Sequence, residues 1–315
     1  MGDLISTPVN TTSPKPGHAS GTVVRTPTVL GERPAAPGTW ERIVRAFRTN
    51  KFALASLVIL TIIVGLALLA PFIDRYSPTQ SHLRAFESPP TLDHWIGTDS
   101  AGRDVWSRLL WGARTSLMVA LAAVSISLTV GTLIGAVAGY YGGFVDSILM
   151  RITDGFISFP DIVLVLMLAS ILGPSIRNVI LVIGFLGWTG MARLIRGQFL
   201  MLREQDWVLA ARSIGVSNRR LIIRHLLPHV ITQIIVAASF GAAGATLAEA
   251  GLSYLGMGVQ PPAPSWGSML AEAQSVHVLQ NVPWAWIAPG IALTMVVLSV
   301  SYIGETLRQA ITPGR

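Results

Sequence analysis

The sequence predicts an all-α membrane protein with six transmembrane helices, and three observations carry that reading. Only 12% of the 315 residues are charged, whereas soluble domains carry about 25%. The remaining charges cluster, leaving several uncharged windows as long as the roughly 20 residues a helix needs to cross a hydrocarbon core about 30 Å thick. No ten-residue alternation of the barrel kind is present, and lipid does not tolerate unpaired backbone, so the windows are helices.

Residues 1–38 are rich in Pro, Thr, Ser and Gly without an apolar period, the composition of a disordered cytoplasmic tail rather than of a signal peptide. Trp40, Ile43, Val44 and Phe47 then recur at helical spacing with Arg42, Arg45 and Arg48 between them. This predicts a short amphipathic helix along the membrane surface. With the first span at 52–73 and an extracellular segment up to 114, it makes up a first region, 39–114. A core region, 115–311, holds the other spans at 115–145 (with a turn at Gly142-Gly143), 156–172, 178–192, 229–250 and 282–304. The span at 156–172 contains Pro160 and Asp161.

Charge sets the orientation. With the N-terminus inside, the cytoplasmic segments hold 17 of the 23 Lys and Arg residues and the outer segments 6. The positive-inside bias therefore predicts an N-in, C-in chain of a bacterial inner or plasma membrane, with 74–114 and 251–281 outside. In that setting the net charge of +7 anchors cytoplasmic loops, and nucleic acid is not an expected partner.

Several chemistries are absent. There is no cysteine, hence no disulfide framework or thiolate metal site. The six histidines form no zinc spacing: His225 and His229 are one turn apart, but Pro228 lies between them and no third ligand is near. No nucleophile elbow, dinucleotide fingerprint or P-loop occurs. No catalytic residue, metal or cofactor is therefore expected in this chain, which should not hydrolyse ATP alone.

The most informative stretch is the cytoplasmic segment at about 203–228. Trp207, Ala210, Ala211 and Ile214 share one helical face, next to Asp206 and Leu209. Gly215 can end that helix with positive φ, Ser217 can cap a second one, and Pro228 suits the start of the next span. An ordinary surface loop does not require an apolar side facing the cytoplasm; a partner protein would cover it.

This segment resembles the EAA loop of ABC-importer permeases: Glu-Ala-Ala, three residues, Gly, nine residues, then Ile, any residue, Leu-Pro. The chain matches at Ala210, Ala211, Gly215, Leu227 and Pro228. It departs at Leu209, where the family usually has Glu, and at His225, where the general pattern has Ile; the His-Leu-Leu-Pro variant is similar to the peptide-permease branch. The stretches Gly97-Thr98-Asp99-Ser100-Ala101-Gly102-Arg103-Asp104-Val105, Glu249 to Gly256, Gln260 to Gly267 and Leu307 to Ala310 resemble the C-type subunit of oligopeptide and dipeptide importers and their nickel-importing relatives. The resemblance covers roughly residues 40–315.

It implies a type I ABC-importer permease fold and a non-catalytic subunit that forms half of a translocation pathway. The partners implied are a homologous second permease subunit, one or two kinds of cytoplasmic ATP-binding subunit that hold ATP and Mg, an extracellular substrate-binding protein and the bilayer. The 206–215 helix would be the coupling helix, seated in a groove of the ATPase and driving alternating access, and a bulky residue at Ala211 would block that seat. Peptides, nickel chelates and haem all stay open as cargo. A self-contained secondary transporter is the rival class, disfavoured by the near absence of mid-span charge.

Other residues carry two readings each. Thr98 or Asp99 can cap a helix with Val105, Trp106, Leu109 and Leu110 on its face at the outer interface. The group Gly97, Thr98, Asp99, Gly102, Arg103 and Asp104 then serves either structure or docking and gating. Ala237, Gly241 and Ala245 recur every four residues, a face for close packing within the subunit or against a second one. Glu249 and Glu305 end uncharged spans, where they can anchor at the interface or meet substrate.

Overall fold

The computed structural model describes residues 39–82 and 84–311, so the tail expected over 1–38 lies outside the described residues. Helix α1 (Thr39–Thr49) is the amphipathic segment, and its Ile43, Val44 and Phe47 are half-buried. One residue, Asn50, separates it from α2 (Lys51–Ile73). Its side chain accepts from the backbone N–H of Phe52 (3.0 Å) and Ala53 (3.2 Å), an N-cap that starts the first span.

The second span differs from the sequence expectation. Helix α3 runs unbroken over Val105–Tyr141, 37 residues, so a region boundary between 114 and 115 falls inside one helix. Residues 105–114 are its first turns rather than a separate interfacial segment. Its N-cap is Asp104, which accepts from Ser107 N at 2.8 Å, rather than Thr98 or Asp99. Gly142 (φ 66°) ends α3 and begins α4 (Gly143–Ile157).

The third span is broken. Helix α4 and α5 (Asp161–Leu172) meet at 83°, with Pro160 as the N-cap of α5. The spans after it are longer than expected. Helices α6 (Ile176–Leu186) and α7 (Trp188–Arg203) run on through Gly187 as one apolar rod. The short α8 (Asp206–Ser213) and α9 (Asn218–Arg220) precede a widened turn over Leu221–Leu226 and α10 (Leu227–Tyr254). Two short helices, α11 (Trp266–Ala271) and α12 (Val276–Asn281), lead to α13 (Pro283–Ile311). The described residues thus hold five helices long and apolar enough to cross a membrane, or six with the bent pair as one span.

Helix α3 is the central post. Its outer end packs with α2, α11 and α13 through Ala113, Ala67, Trp266 and Val296. Its middle packs with α5, α6 and α10 through Val119, Ala123, Val165, Val182 and Ala245. Its inner end packs with α7, α8 and α10 through Ala136, Tyr140, Ile195, Phe199, Val208 and Val230. Close approach to α7 depends on Gly131, Gly135 and Gly139, at four-residue spacing. An added Cβ would lie 2.6 Å from Met191 Cβ at Gly131 and 2.6 Å from Phe199 Cβ at Gly139, and at Gly135 would overlap the Ala192 carbonyl. Large apolar side chains of α2, including Leu54, Val58, Ile62, Leu68 and Phe72, stay exposed; facing lipid, they carry no penalty.

Candidate functional site

The cytoplasmic loop is built from the inside outward. Val208 is fully buried in the inner cluster and fixes one face of α8. Opposite it, Trp207, Leu209, Ala210 and Ile214 are exposed, Ile214 at 82%. Ala211 departs from the expectation: one turn from Val208, it is half-buried against its own chain's core. Helix α8 ends at Gly215 (φ 84°). Gly215 N donates to Arg212 O (2.9 Å) and Val216 N to Ala211 O (3.1 Å), the paired bonds of a Schellman motif. Ser217 holds extended backbone before α9, but its side chain makes no capping bond.

Three contacts attach this loop to the spans. The Trp207 ring stacks on His229 of α10 (centroids 5.0 Å apart, planes at 22°). His229 Nδ1 lies 2.7 Å from the His225 carbonyl, which can only accept, so Nδ1 carries the proton. The Arg212 guanidinium lies 4.8 Å above the Tyr140 ring of α3. The Tyr140 hydroxyl donates to Asn218 Oδ1 (2.7 Å), so one tyrosine holds both arms of the turn. The widened turn follows from Pro228. It has no N–H, and its ring excludes the carbonyl four residues back. Leu227 N donates instead to Ile222 O, five residues away.

Beside α3 runs an apolar groove of about 470 Å³ bounded by α3, α5, α6, α7 and α10. Ala237, Gly241 and Ala245 line it. Ala245 is buried in the middle cluster, while a Cβ at Gly241 would meet Val124 at an ordinary 3.6 Å. The close-packing glycines are those of α3, visible in the sequence as Gly131-x₃-Gly135-x₃-Gly139 and overlooked beside the longer small-residue run of α10. Glu249 lies outside the groove. It is fully buried and accepts from the hydroxyls of Ser116 on α3 and Ser253 (2.8 Å each), so it joins α10 to α3 and neither reaches the interface nor faces a pathway. Glu305 pairs with Arg308 (2.8 Å) on the surface of α13.

The outer motif folds into a charged knot under the external connections. Asp99, 1% exposed, accepts from Ala101 N (2.8 Å), Arg103 N (2.9 Å) and Arg103 Nε (2.8 Å), and is also paired with Arg108. Both arginines reach Glu272, at 2.9 and 2.7 Å, and so clamp the 251–281 connection onto the start of α3. Asp104 bonds His94 Nδ1 at 2.8 Å. Thr98 receives Ser88 N (2.8 Å), and its carbonyl accepts from Trp284 Nε1 (2.9 Å). Gly97 (φ 82°) and Gly102 (φ 70°) leave no room for a side chain: a Cβ would lie 2.5 Å from Ser88 O and 2.7 Å from His82 O. All six motif residues thus make contacts inside the chain.

Residues 131–315 match the family described as binding-protein-dependent transport system inner membrane component. The chain belongs to that family. Residues 38–90 of the permease also match the N-terminal transmembrane domain of oligopeptide transport permease C. A candidate peptide permease protein of Brucella suis biovar 1 is 42% identical over 280 residues, 89% of this chain and 93% of the relative. The dipeptide transport system permease protein DppC of Alkalihalophilus pseudofirmus is 37% identical, covering 88% and 91%. The oligopeptide transport system permease protein OppC of Bacillus subtilis is 35% identical, covering 87% and 89%. Among solved structures the MetNI methionine ABC transporter, inward facing, is similar at TM-score 0.51 and 15% identity, over 65% of this chain and 96% of that one. This likeness concerns the fold, that of an ABC-importer permease. The permease is thus a multi-pass membrane subunit of an ABC importer.

Proposed function

We propose that this permease imports peptides, as one of two homologous membrane subunits whose pathway is driven by cytoplasmic ATPases and fed by an external binding protein. Similarity to DppC and OppC along almost the whole chain supports peptide as the cargo. The observation that carries the coupling role is the two-sidedness of α8: Val208 fixes its inner face and Trp207 leans on His229, while Leu209, Ala210 and Ile214 face outward without cover. Asp206 and Gly215 complete the proposed ATPase contact. With Leu209 where the family usually has Glu, the carboxylate at that position is missing from the contact. ATP and Mg are bound by the partners, and this chain contributes no cofactor of its own.

The test is peptide uptake and ATP hydrolysis by the complete complex in proteoliposomes. Ala210→Trp places a large ring on the outward face, where overpacking a tight contact costs about 1–3 kcal/mol; uptake should fall while insertion and assembly persist. Ala211→Trp is a poorer probe, because it also disturbs the inner cluster. Wild-type uptake by an Ala210→Trp complex would remove α8 from the ATPase interface, and a wild-type complex that moves no peptide would refute the cargo.

A further inference from the structure

Among the described residues, every acid of the membrane-spanning helices but one has a bonded partner. On α4, Asp146 forms a two-pronged pair with Arg196 of α7 (2.5 and 2.7 Å), and Asp154 pairs with Arg193 (2.6 Å). On α10, Glu249 is satisfied by two serines. Asp161 is exposed and has no hydrogen bond or ion pair among the described residues. It is also the one ionisable side chain lining the 470 Å³ groove, whose other walls are apolar or small. The groove lies at mid-depth. The α3 residues in its wall are Ala123 to Leu128, at the centre of a helix running over Val105–Tyr141, and α10 contributes Ala237 to Ala248 from Leu227–Tyr254. The bend of the third span at Ser158–Pro160 places Asp161 there, because α4 ends and α5 starts part-way across the bilayer.

An unpaired carboxylate at that depth is expensive to hold and marks a function. Residence at the first position of α5 also stabilises that helix end modestly. Pro160 is the N-cap of α5 and Asp161 makes no capping bond, so capping does not account for the acid. A single carboxylate among apolar walls favours a single cation. The one cationic group common to all unblocked peptides is the N-terminal ammonium, and variable side chains would rest on the apolar walls without selection.

We infer that Asp161 is a substrate-binding residue, receiving the free ammonium terminus of a peptide in the groove. This rests on the peptide reading above and sharpens it. Attraction from one carboxylate is weak enough to let cargo leave again, as a pathway site requires. The charge also has a sign that can be measured.

The chain has no cysteine, so Gly190→Cys gives it a unique thiol. Gly190 lines the same groove and has open space where a side chain would project. In the purified complete complex in detergent, the thiol is modified with a cationic and an anionic methanethiosulfonate reagent of similar size. The cationic-to-anionic rate ratio should fall at least about tenfold when Asp161→Asn is added. An alanine tripeptide should slow the cationic reagent in the Asp161 protein and lose that effect in Asp161→Asn. The N-acetylated tripeptide should protect neither.

An unchanged ratio, or a thiol that never reacts, would show that the carboxylate does not face a wet groove. Equal protection by the two peptides, or protection that survives Asp161→Asn, would restrict Asp161 to the helix end. Loss of the second permease subunit from the purified Asp161→Asn complex would assign the carboxylate to a cation of that subunit. Each of these outcomes overturns the inference while leaving peptide import, measured as uptake by wild type, intact.

Discussion

Loosening two attachments of the 206–220 loop, one on α8 and one on α9, should separate ATP hydrolysis from transport. His229→Ala removes the ring under Trp207, and an aromatic pair of this geometry contributes about 0.5–1.5 kcal/mol. Tyr140→Phe keeps the ring beneath Arg212 but deletes the hydroxyl that donates to Asn218 Oδ1 at 2.7 Å, about 0.5–1.5 kcal/mol. The two contacts share no residue, so their effects should add to about 2 kcal/mol. That corresponds to a shift of roughly 30-fold toward a detached loop at RT ≈ 0.59 kcal/mol. Val208, fully buried, keeps the helix near its place in both variants. Hydrogen exchange of the 206–215 amides should accelerate several-fold in each single variant and up to about 30-fold in the double one. Peptide moved per ATP hydrolysed, in proteoliposomes of the complete complex, should fall in the same order while ATPase activity persists. Faster exchange with an unchanged transport ratio would refute the reasoning: the loop would then act by presence and not by rigid attachment.

Three further outcomes follow from the packing and one from the charge bias. Gly135→Ala should destabilise the purified chain by about 1–3 kcal/mol in denaturant unfolding, since its Cβ meets a backbone carbonyl of α7; Gly155→Ala, with open space around it, should be neutral or slightly stabilising. Glu249→Ala should cost about 2–5 kcal/mol by the same measurement, leaving two buried hydroxyls without an acceptor and a cavity between α3 and α10, and Glu249→Gln should cost less. Gly215→Val should destabilise the loop by about 1–2 kcal/mol, seen as faster local exchange, through backbone strain alone, since nothing lies within 4 Å of a Cβ there, whereas Gly215→Asn should be tolerated. Cysteine at Ser100 should react with an impermeant thiol reagent in intact cells and cysteine at Ser213 should not, and the reverse pattern would overturn the orientation read from charge.

The parts of this structure that were legible in the sequence are those governed by neighbours along the chain. Helix α2 is an uncharged run behind an Asn cap, and α1 is a three-and-four pattern of apolar residues between arginines. The turn after α8 needs a residue with positive φ, and Gly215 supplies it. What escaped depends on partners far away. Arg108 and Arg114 hid the continuity of 105–114 with the helix after it; Arg108 is 4% exposed and paired with Asp99 and with Glu272, which lies 164 positions further along the chain. Asp146, Arg151 and Asp154 kept residues 146–155 out of the predicted spans, but the two acids are paired with arginines of α7 and the segment is helical. The face of Ala211 was misread because 100° per residue leaves it between Trp207 and Val208, and only the inner cluster decides which side it takes.

The same packing shows where this subunit can change shape. Helix α3 belongs to all three buried clusters, its outer end is tied to the external connections through Asp99, Arg108 and Glu272, and its inner end holds the loop through Tyr140. The glycines at 131, 135 and 139 bring α7 against it with no slack, so a push on α8 is not absorbed between α3 and α7. The bent span is built differently. Helix α4 is held to α7 by ion pairs, α5 is held to α3 and α6 by Val165 and Ala169, and the three residues between them are exposed and carry no long-range bond. Its two limbs are therefore held by different bonds and meet beside Asp161, which lines the groove. Motion that the rigid α3–α7 pair passes on is taken up most cheaply at that junction, and it would carry the groove's one carboxylate with it.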